Sequence, residues 1–117
     1  VILGDETEEI REISKGTESY RRIVDTMKKN IGKMLSVDDI AKLCSMSRSN
    51  VKRVFAKYSG MGVIEYFNDM KVKRAKKLLR EGMSIKEVSL ALGFYNQNYF
   101  STMFKRIDGV SPGKYKT

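Results

Sequence analysis

An internal repeat constrains the fold of this 117-residue chain more than any other feature of its sequence. Residues 36–40 match residues 84–88 at an offset of 48, and each run begins with a serine followed by an acidic residue three positions later. An offset of 49 relates three further pairs, which are Val51 with Phe100, Phe55 with Phe104, and Gly60 with Gly109. The second copy therefore has one extra residue near its turn. A repeat of this kind predicts two copies of one small helical unit.

The second copy is typical of two helices joined by a tight turn. Ser84 and Glu87 have the spacing of a capping box, which fixes the start of the first helix. Gly93 is the residue best able to take the left-handed conformation that ends this helix. The apolar surface of the first helix is expected from Val88, Leu90, Ala91 and Leu92. Apolar residues then recur at spacings of three and four in a second helix, at Phe100, Met103, Phe104 and Ile107.

The second helices of the two copies carry different polar faces. In the later copy the polar residues are Gln97, Asn98, Ser101, Thr102, Lys105 and Arg106. In the earlier copy Ser47 is the expected N-cap, and the residues expected to be buried are Val51, Val54, Phe55 and Tyr58. The residues that remain for its outer face are Arg48, Ser49, Lys52, Arg53 and Lys57. One outer face therefore offers amides and hydroxyls, and the other is cationic.

A helix-turn-helix unit of this kind inserts the exposed face of its second helix into the major groove of DNA. Glutamine and asparagine amides pair with adenine, and Lys52 or Arg53 suits guanine edges. Arg48 and Lys57 are better placed for backbone phosphates. Two plainer interpretations stay open at this point, because helical hairpins also serve simply as packed scaffolds and charged faces are often only solvated.

The remaining segments predict scaffold helices, so the fold class is all-α with about seven helices. A helix is expected to begin at Thr17 and end at Gly32. A linker helix is expected within 63–81, and its apolar spacing spans about seventeen residues, or about 25 Å at about 1.5 Å per residue. This helix would join the helix-turn-helix units and end at Gly82. Its basic residues wrap most of its surface, and part of that run is expected to serve solubility. The predicted DNA-binding domain covers 17–117, with helix-turn-helix units at 36–59 and 84–107, the linker helix at 63–81 and a C-terminal helix at 111–116.

Charge is distributed unevenly along the chain. The net charge is +9, from 23 basic and 14 acidic residues. Residues 1–16 hold five of the acidic and two of the basic residues, which leaves nine acidic and twenty-one basic ones for 17–117. We interpret 1–16 as the remnant of an acidic linker, and we expect it to be frayed or to form a loosely held helix. The basic remainder favours a polyanionic partner, with strong dependence on salt.

Several classes of function are disfavoured by what the sequence lacks. There is no histidine and a single cysteine, Cys44, so neither a conventional zinc site nor an intrachain disulfide is expected, and the commonest general base is missing. No apolar run approaches the length of roughly eighteen residues that spans a membrane, and no secretory signal is recognisable. We expect a cytoplasmic protein with no catalytic residues, no metal and no cofactor. Since the first residue is not Met, we expect the chain to be part of a longer protein.

Residues 34–117 resemble the DNA-binding domain of the AraC/XylS family of bacterial transcription regulators. The matching residues in the first unit are Ser47, Val51, Arg53, Phe55 and Gly60, followed on the linker helix by Tyr66, Phe67, Ala75, Leu78 and Leu79. The second unit matches at Ile85, Lys86, Glu87, Val88, Gly93, Phe94, Tyr99, Phe100, Phe104, Lys105, Gly109, Ser111, Pro112 and Tyr115. The resemblance implies seven helices and a monomer that contacts two adjacent major grooves. It also implies an effector-binding or dimerisation domain before Val1.

The same resemblance implies which residues contact DNA. Base contacts would come from Ser49, Lys52, Arg53, Gln97, Asn98 and Thr102. Phosphate contacts would come from Arg48, Lys57, Asn96, Ser101 and Lys105. The chain departs from the family pattern at Lys71, Ser89, Asn98, Thr102 and Lys116. Because Thr102 replaces a common arginine with a short uncharged side chain, Arg53 is expected to be the main base reader.

We therefore expect a sequence-specific regulator of transcription that binds double-stranded DNA, activating rather than repressing, with RNA polymerase as a further partner. Two alternatives from other classes remain. DNA-repair methyltransferases carry a similar region beside a reactive cysteine, although Cys44 lies on the apolar side of its helix and is more easily read as a small buried hydrophobe. The basic surface could instead bind an acidic protein.

Overall fold

The structure is a computed structural model that describes the backbone of residues 3–116 and the side chains of residues 15–116. The described residues form seven α-helices, which are α1 (Leu3–Lys29), α2 (Val37–Leu43), α3 (Arg48–Ser59), α4 (Val63–Arg80), α5 (Ile85–Ala91), α6 (Gln97–Asp108) and α7 (Pro112–Lys116). The predicted all-α fold with two helix-turn-helix pairs, α2 with α3 and α5 with α6, is confirmed. Between residues 3 and 116, no helix is both long enough and apolar enough to cross a membrane.

The chain divides into two compact units. In the first unit, α1 packs against both α2 and α3. Tyr20 of α1 meets Phe55 of α3 edge to face, with 5.1 Å between the ring centroids. The buried apolar residues of this unit are Ile23, Met27, Ile40, Ala41, Cys44, Val51, Val54, Phe55 and Val63. The burial predicted for Cys44, Val51, Val54 and Phe55 is confirmed, whereas Tyr58 is only half-buried.

The second unit comprises Asn30–Ser36 and the chain from Ile64 onward. Its core is one continuous cluster made of Val72, Ala75, Leu79, Val88, Leu92, Phe94, Phe100, Met103 and Phe104. The rings of Phe94, Phe100 and Phe104 follow one another with centroids 5.1 and 5.8 Å apart. The apolar face predicted from Phe100 and Phe104 is confirmed, and the packed cluster holds α6 by one face only.

Local signals place most helix ends where they were predicted. Ser84 Oγ accepts a hydrogen bond from the amide of Glu87 at 3.0 Å, and Ser111 Oγ accepts one from the amide of Lys114 at 3.2 Å. Each serine thereby satisfies one of the amides that a helix leaves unpaired at its start. Gly82 follows α4 with a φ of 97°, as expected of a residue that ends a helix.

The two turns differ by the one residue that the repeat predicts. Residues 44–47 separate α2 from α3, and residues 92–96 separate α5 from α6. Gly93 has a φ of 76°, so its predicted left-handed conformation is confirmed. Ser45 occupies the matching position in the first copy and also has a positive φ, at 55°. A left-handed conformation costs a residue with a side chain about 1–2 kcal/mol, so the first turn is the more strained of the two.

The predicted limits of the first helix are wrong. The helix does not begin at Thr17, because α1 already runs from Leu3. Gly16 lies inside α1, where a Cβ would approach the hydroxyl oxygen of Tyr58 to 2.3 Å. The glycine permits close packing here rather than ending a helix, while the side chains of 1–14 lie outside the described residues. At the other end α1 stops at Lys29, and Gly32 instead lets the chain pass close to the carbonyl oxygen of Ala91, which would be 2.8 Å from an added Cβ.

The apolar face predicted for α5 is also partly wrong. Val88 and Leu92 are buried as expected, but Leu90 is 67 % exposed and Ala91 is exposed too. Ser89 is buried instead, with only 2 % of its surface accessible. A helix of seven residues makes less than two turns, so the packing of the surrounding core decides which of its residues face inward.

Candidate nucleic-acid interface

The first recognition helix, α3, is fixed at both ends by its own sequence. Ser47 is the N-cap, with its Oγ accepting from the amide of Asn50 at 3.1 Å. Gly60 closes the other end with a φ of 70°. Because α3 buries one face in the first unit, its opposite face is presented to solvent. The predicted contact residues on that face are all exposed, and they are Arg48, Ser49, Lys52, Arg53 and Lys57.

The cations of α3 differ in how firmly they are oriented. Arg53 donates a hydrogen bond from Nη2 to Asn50 Oδ1 at 2.5 Å, one turn earlier on the same helix. Arg48 Nη1 lies 3.8 Å from an Asp38 carboxylate oxygen, and both side chains are mostly exposed. Such a surface pair is worth only about 0–1 kcal/mol, so a phosphate can replace Asp38 easily. Lys57 Nζ lies 5.5 Å from the centroid of the Tyr58 ring.

The second recognition helix, α6, begins at an asparagine cap. Asn96 Oδ1 accepts from the amide of Tyr99 at 2.7 Å, which leaves the Asn96 amide nitrogen as its donor toward a ligand. Gly109 ends the helix with a φ of 95°. Of the predicted contact residues, Ser101 is half-buried and the others are exposed, namely Gln97, Asn98, Thr102 and Lys105.

Thr102 is less available for base contact than its exposure suggests. Its hydroxyl donates to the carbonyl oxygen of Asn98 at 3.0 Å, one turn back along α6. The hydroxyl oxygen keeps its capacity to accept a hydrogen bond, but its proton is already engaged. Among the three predicted base-contact residues of α6, Gln97 and Asn98 are therefore the principal donors.

A buried lysine anchors the turn that precedes α6. Lys71 has no accessible surface, and its Nζ donates to three backbone carbonyl oxygens. Those of Ile31 and Lys33 lie at 2.7 Å, and the third belongs to Leu92 in the turn itself. Nζ also lies 4.7 Å from the ring centroid of Phe67. Burial lowers the pKa of the Lys71 amine from 10.5 to about 8. The sequence predicted that the basic residues of α4 wrap most of its surface. Only the family resemblance, in which an arginine is usual at this position, singled out Lys71.

Gly93 lets this turn lie close to the segment that follows α1. A Cβ at Gly93 would lie 2.4 Å from the carbonyl oxygen of Gly32 and 3.0 Å from Cα of Lys33. No side chain fits in that space without moving backbone. The turn is therefore tied to residues 31–33 both through Lys71 and by this close approach, and both contacts fix the start of α6.

Two residues near the predicted contact surfaces were missed by sequence reasoning. Asn50 orients Arg53 through a hydrogen bond. The sequence signal for this contact is that Asn50 lies three residues before Arg53 on a helix, a spacing at which side chains meet. Tyr95 follows the turn and is 80 % exposed, with its ring 6.3 Å from that of Tyr99 in an edge-on arrangement. A tyrosine beside Phe94 reads as part of an aromatic core, so its exposure has no signal in the sequence.

The predicted contact residues form two sets, one on α3 in the first unit and one on α6 in the second. Each set combines helix-borne polar groups on an exposed face with an opposite face that is buried. This is the arrangement by which a helix-turn-helix presents its second helix to base edges and phosphates.

Comparison with known proteins agrees with this geometry. Residues 40–117 match a family described as "Helix-turn-helix domain". The chain is 35% identical over 112 residues to the Msm operon regulatory protein of Streptococcus mutans, a match that covers 92% of the chain and 39% of that protein. It is 30% identical over 95 residues to the bifunctional transcriptional activator/DNA repair enzyme AdaA of Bacillus subtilis, covering 80% of the chain and 45% of that protein.

A solved structure shows the same fold. A transcriptional regulator from Chromobacterium violaceum, described among AraC-type DNA-binding domain-containing proteins, superimposes with a TM-score of 0.79 at 29% identity. The match covers 88% of this chain and 93% of that one. The chain spans less than half the length of the two curated relatives that it matches.

Proposed function

Since the chain belongs to the AraC-type helix-turn-helix family of DNA-binding transcription regulators, we propose that α3 and α6 read base sequence in adjacent major grooves of double-stranded DNA. The observation that carries the proposal is that both helices bury one face and expose the other, with side chains suited to base edges on each exposed face. Successive major-groove faces recur about every 34 Å along DNA, and a slightly bent duplex brings them closer.

On α3 the base contacts are assigned to Ser49, Lys52 and Arg53. Arg53 is the main reader, because a guanidinium pairs with both acceptors of guanine and Asn50 already holds it in one direction. Phosphate contacts on this helix are assigned to Arg48 and Lys57. Replacement of Asp38 by a phosphate would strengthen the contact of Arg48 at little cost, because their ion pair is exposed.

On α6 the base contacts are assigned to Gln97, Asn98 and Thr102. Their amides suit adenine, while the engaged hydroxyl of Thr102 limits that residue to a weaker role. The phosphate contacts assigned here come from Asn96, Ser101 and Lys105. The anchoring of the preceding turn by Lys71 supports this assignment, because a fixed helix start keeps the amides in register with the bases.

For the whole protein we propose an activating role in transcription that involves contact with RNA polymerase. Its relatives extend well beyond the matched segment, and one of them is described as a transcriptional activator. We accordingly propose that an effector-binding or dimerisation domain accompanies this one. Transcription in vitro by full-length protein on a promoter with the bound sequence tests the sign, and lower transcript yield on addition of the protein would refute activation.

We propose no enzymatic role for this domain. AdaA is described as a DNA repair enzyme, so Cys44 is the residue to consider as a nucleophile. Its thiol is 2 % exposed and lies 3.3 Å from Thr26 Oγ1, to which it donates. A reactive thiol needs exposure and a cationic neighbour, and this one is buried in the first unit. Alkyl transfer that disappears in Cys44→Ser would overturn this view.

Selection from a pool of random duplexes at two salt concentrations tests the DNA-reading proposal. We expect enrichment of two short blocks about one helical turn, or about 34 Å, apart. Arg53→Ala should relax the sequence of one block and Gln97→Ala that of the other. Arg21→Ala is the control for charge, because Arg21 is exposed on the face of α1 opposite the core.

The alternative outcomes separate the other functions. Tight binding without sequence preference that vanishes at high salt would mean a merely electrostatic partner. DNA binding that is insensitive to both Arg53→Ala and Gln97→Ala would favour an acidic protein as the main partner of the basic surface. Either result would refute base reading by these helices.

A further inference from the structure

A groove runs between α1 and α3 in the first unit. Its volume is about 400 Å³, and its lining includes Lys15, Gly16, Ser19, Asn50, Arg53 and Lys57. At Gly16 the groove wall approaches Tyr58 closely, because an added Cβ would lie 2.3 Å from the Tyr58 hydroxyl oxygen. The groove therefore combines one face of α1 with the edge of the recognition helix.

The charged side chains that line the described part of this groove are of one sign. Three of its side chains are cationic, from Lys15 on α1 and from Arg53 and Lys57 on α3, and no carboxylate from residue 15 onward, where side chains are described, lines it. Like charges gathered in one concave site repel, and a bound anion relieves the repulsion. Ser19 and Asn50 add neutral hydrogen-bond donors beside the cations. The combination of ammonium groups, a guanidinium and hydroxyls is the set that binds phosphate.

We propose that the α1–α3 groove is a phosphate site in which Lys15, a residue outside the helix-turn-helix, acts together with Lys57. When the phosphate belongs to the DNA backbone, the inference rests on the function proposed above. Arg53 is then engaged with a base, so the two lysines hold the phosphate at the edge of the major groove. A free phosphorylated small molecule presents the same chemistry and is the second possible source.

The first experiment measures how the affinity for the selected duplex depends on salt. Each phosphate contact contributes about 0.9 to the slope of log affinity against log salt. Lys15→Gln should therefore make the slope less steep by about 0.9. Both affinities fall as salt increases, but the ratio of the variant's affinity to that of wild type should rise about 3.5-fold between 50 and 200 mM salt. Lys28→Gln is the matched control, because Lys28 is exposed on the opposite face of the same helix and does not line the groove.

The second experiment titrates the protein with inorganic phosphate and follows backbone amide NMR signals. We expect shifts in residues 15–19 and 53–58 of wild type that are absent in Lys15→Gln. These shifts together with an unchanged salt slope would assign the site to a free phosphorylated ligand. If neither the slope nor the signals respond to Lys15→Gln, or if Lys28→Gln changes the slope equally, the site is refuted.

The two experiments also separate this site from the DNA-reading function. Wild type that binds no duplex but shows the phosphate shifts would remove the function proposed above and retain the site. Wild type that reads DNA with a slope unaffected by Lys15→Gln, and without phosphate shifts, would retain the function and remove the site.

Discussion

The buried amine of Lys71 makes the stability of the protein depend on pH in an unusual direction. The pKa of this amine is about 8 in the folded chain against 10.5 when it is solvated. Between these values the unfolded chain holds a proton that the folded chain has released, so unfolding takes up a proton. The free energy of unfolding should therefore rise with pH across this window, whereas the cost of burying the charge is present in full below pH 8.

The size of the effect follows from the same two pKa values. Linkage between them gives a gain of about 2 kcal/mol in the free energy of unfolding from pH 7 to pH 9.5. The window stops at pH 9.5 because ordinary tyrosines and lysines, with pKa values of about 10 or slightly higher, still hold most of their protons there. Urea unfolding followed by far-UV circular dichroism at several pH values in this window measures the change directly.

Lys71→Arg is the matched control. A guanidinium stays charged throughout the window and can donate to the carbonyl oxygens of Ile31, Lys33 and Leu92. The free energy of unfolding of the Lys71→Arg variant should therefore not rise with pH. Arginine is also the residue that the family resemblance places at this position. A wild-type free energy of unfolding that is flat or falls between pH 7 and pH 9.5, or a rise of equal size in Lys71→Arg, would refute the burial of this charge.

Three further changes test the turns and the first recognition helix. Ser45→Gly should raise the free energy of unfolding by about 0.5–1 kcal/mol in urea, because its φ of 55° suits glycine; a loss of stability would contradict the strained turn. Gly93→Ala should lower it by about 3 kcal/mol or more, since its Cβ would meet a carbonyl oxygen at 2.4 Å; an unchanged melting curve would disprove the close approach. Asn50→Ala should reduce base discrimination by about 1 kcal/mol, or about fivefold, in competition binding, because Arg53 loses its partner. Equal discrimination in Asn50→Ala and wild type would show that Asn50 does not orient the guanidinium.

The features that sequence reasoning located correctly depend on neighbours along the chain. The caps at Ser47 and Ser84 involve amides three residues ahead, and the turn at Gly93 depends on a conformation that glycine favours. The apolar spacing of α3 and α6 identified their buried faces because each helix is long enough to repeat the pattern three times. Such signals need no knowledge of the fold.

The features that it missed depend on contacts between distant segments. The sequence interpretation placed Gly16 at the end of a linker, outside any firm helix, and glycine does cost a helix about 1 kcal/mol relative to alanine. Its packing against Tyr58 gives the glycine another use, and no local pattern reveals that contact. Lys71 stands in a basic run that looks solvated, and only carbonyl groups from two other segments show that its amine is buried. The exposure of Leu90 also depends on distant segments, because packing against the core decides which residues of a short helix are buried.

The internal repeat distinguishes the positions that build the helices from the positions on their exposed faces. At the offset of 49, the matched pairs that build the helices keep their roles, with Ser47 and Asn96 both serving as N-caps and Gly60 and Gly109 both serving as C-caps. Several pairs on the exposed faces do not keep their chemistry. Three such pairs are Arg48 with Gln97, Ser49 with Asn98, and Arg53 with Thr102. Because packing requires the first group and tolerates any polar residue in the second, each exposed face is free to match its own block of DNA.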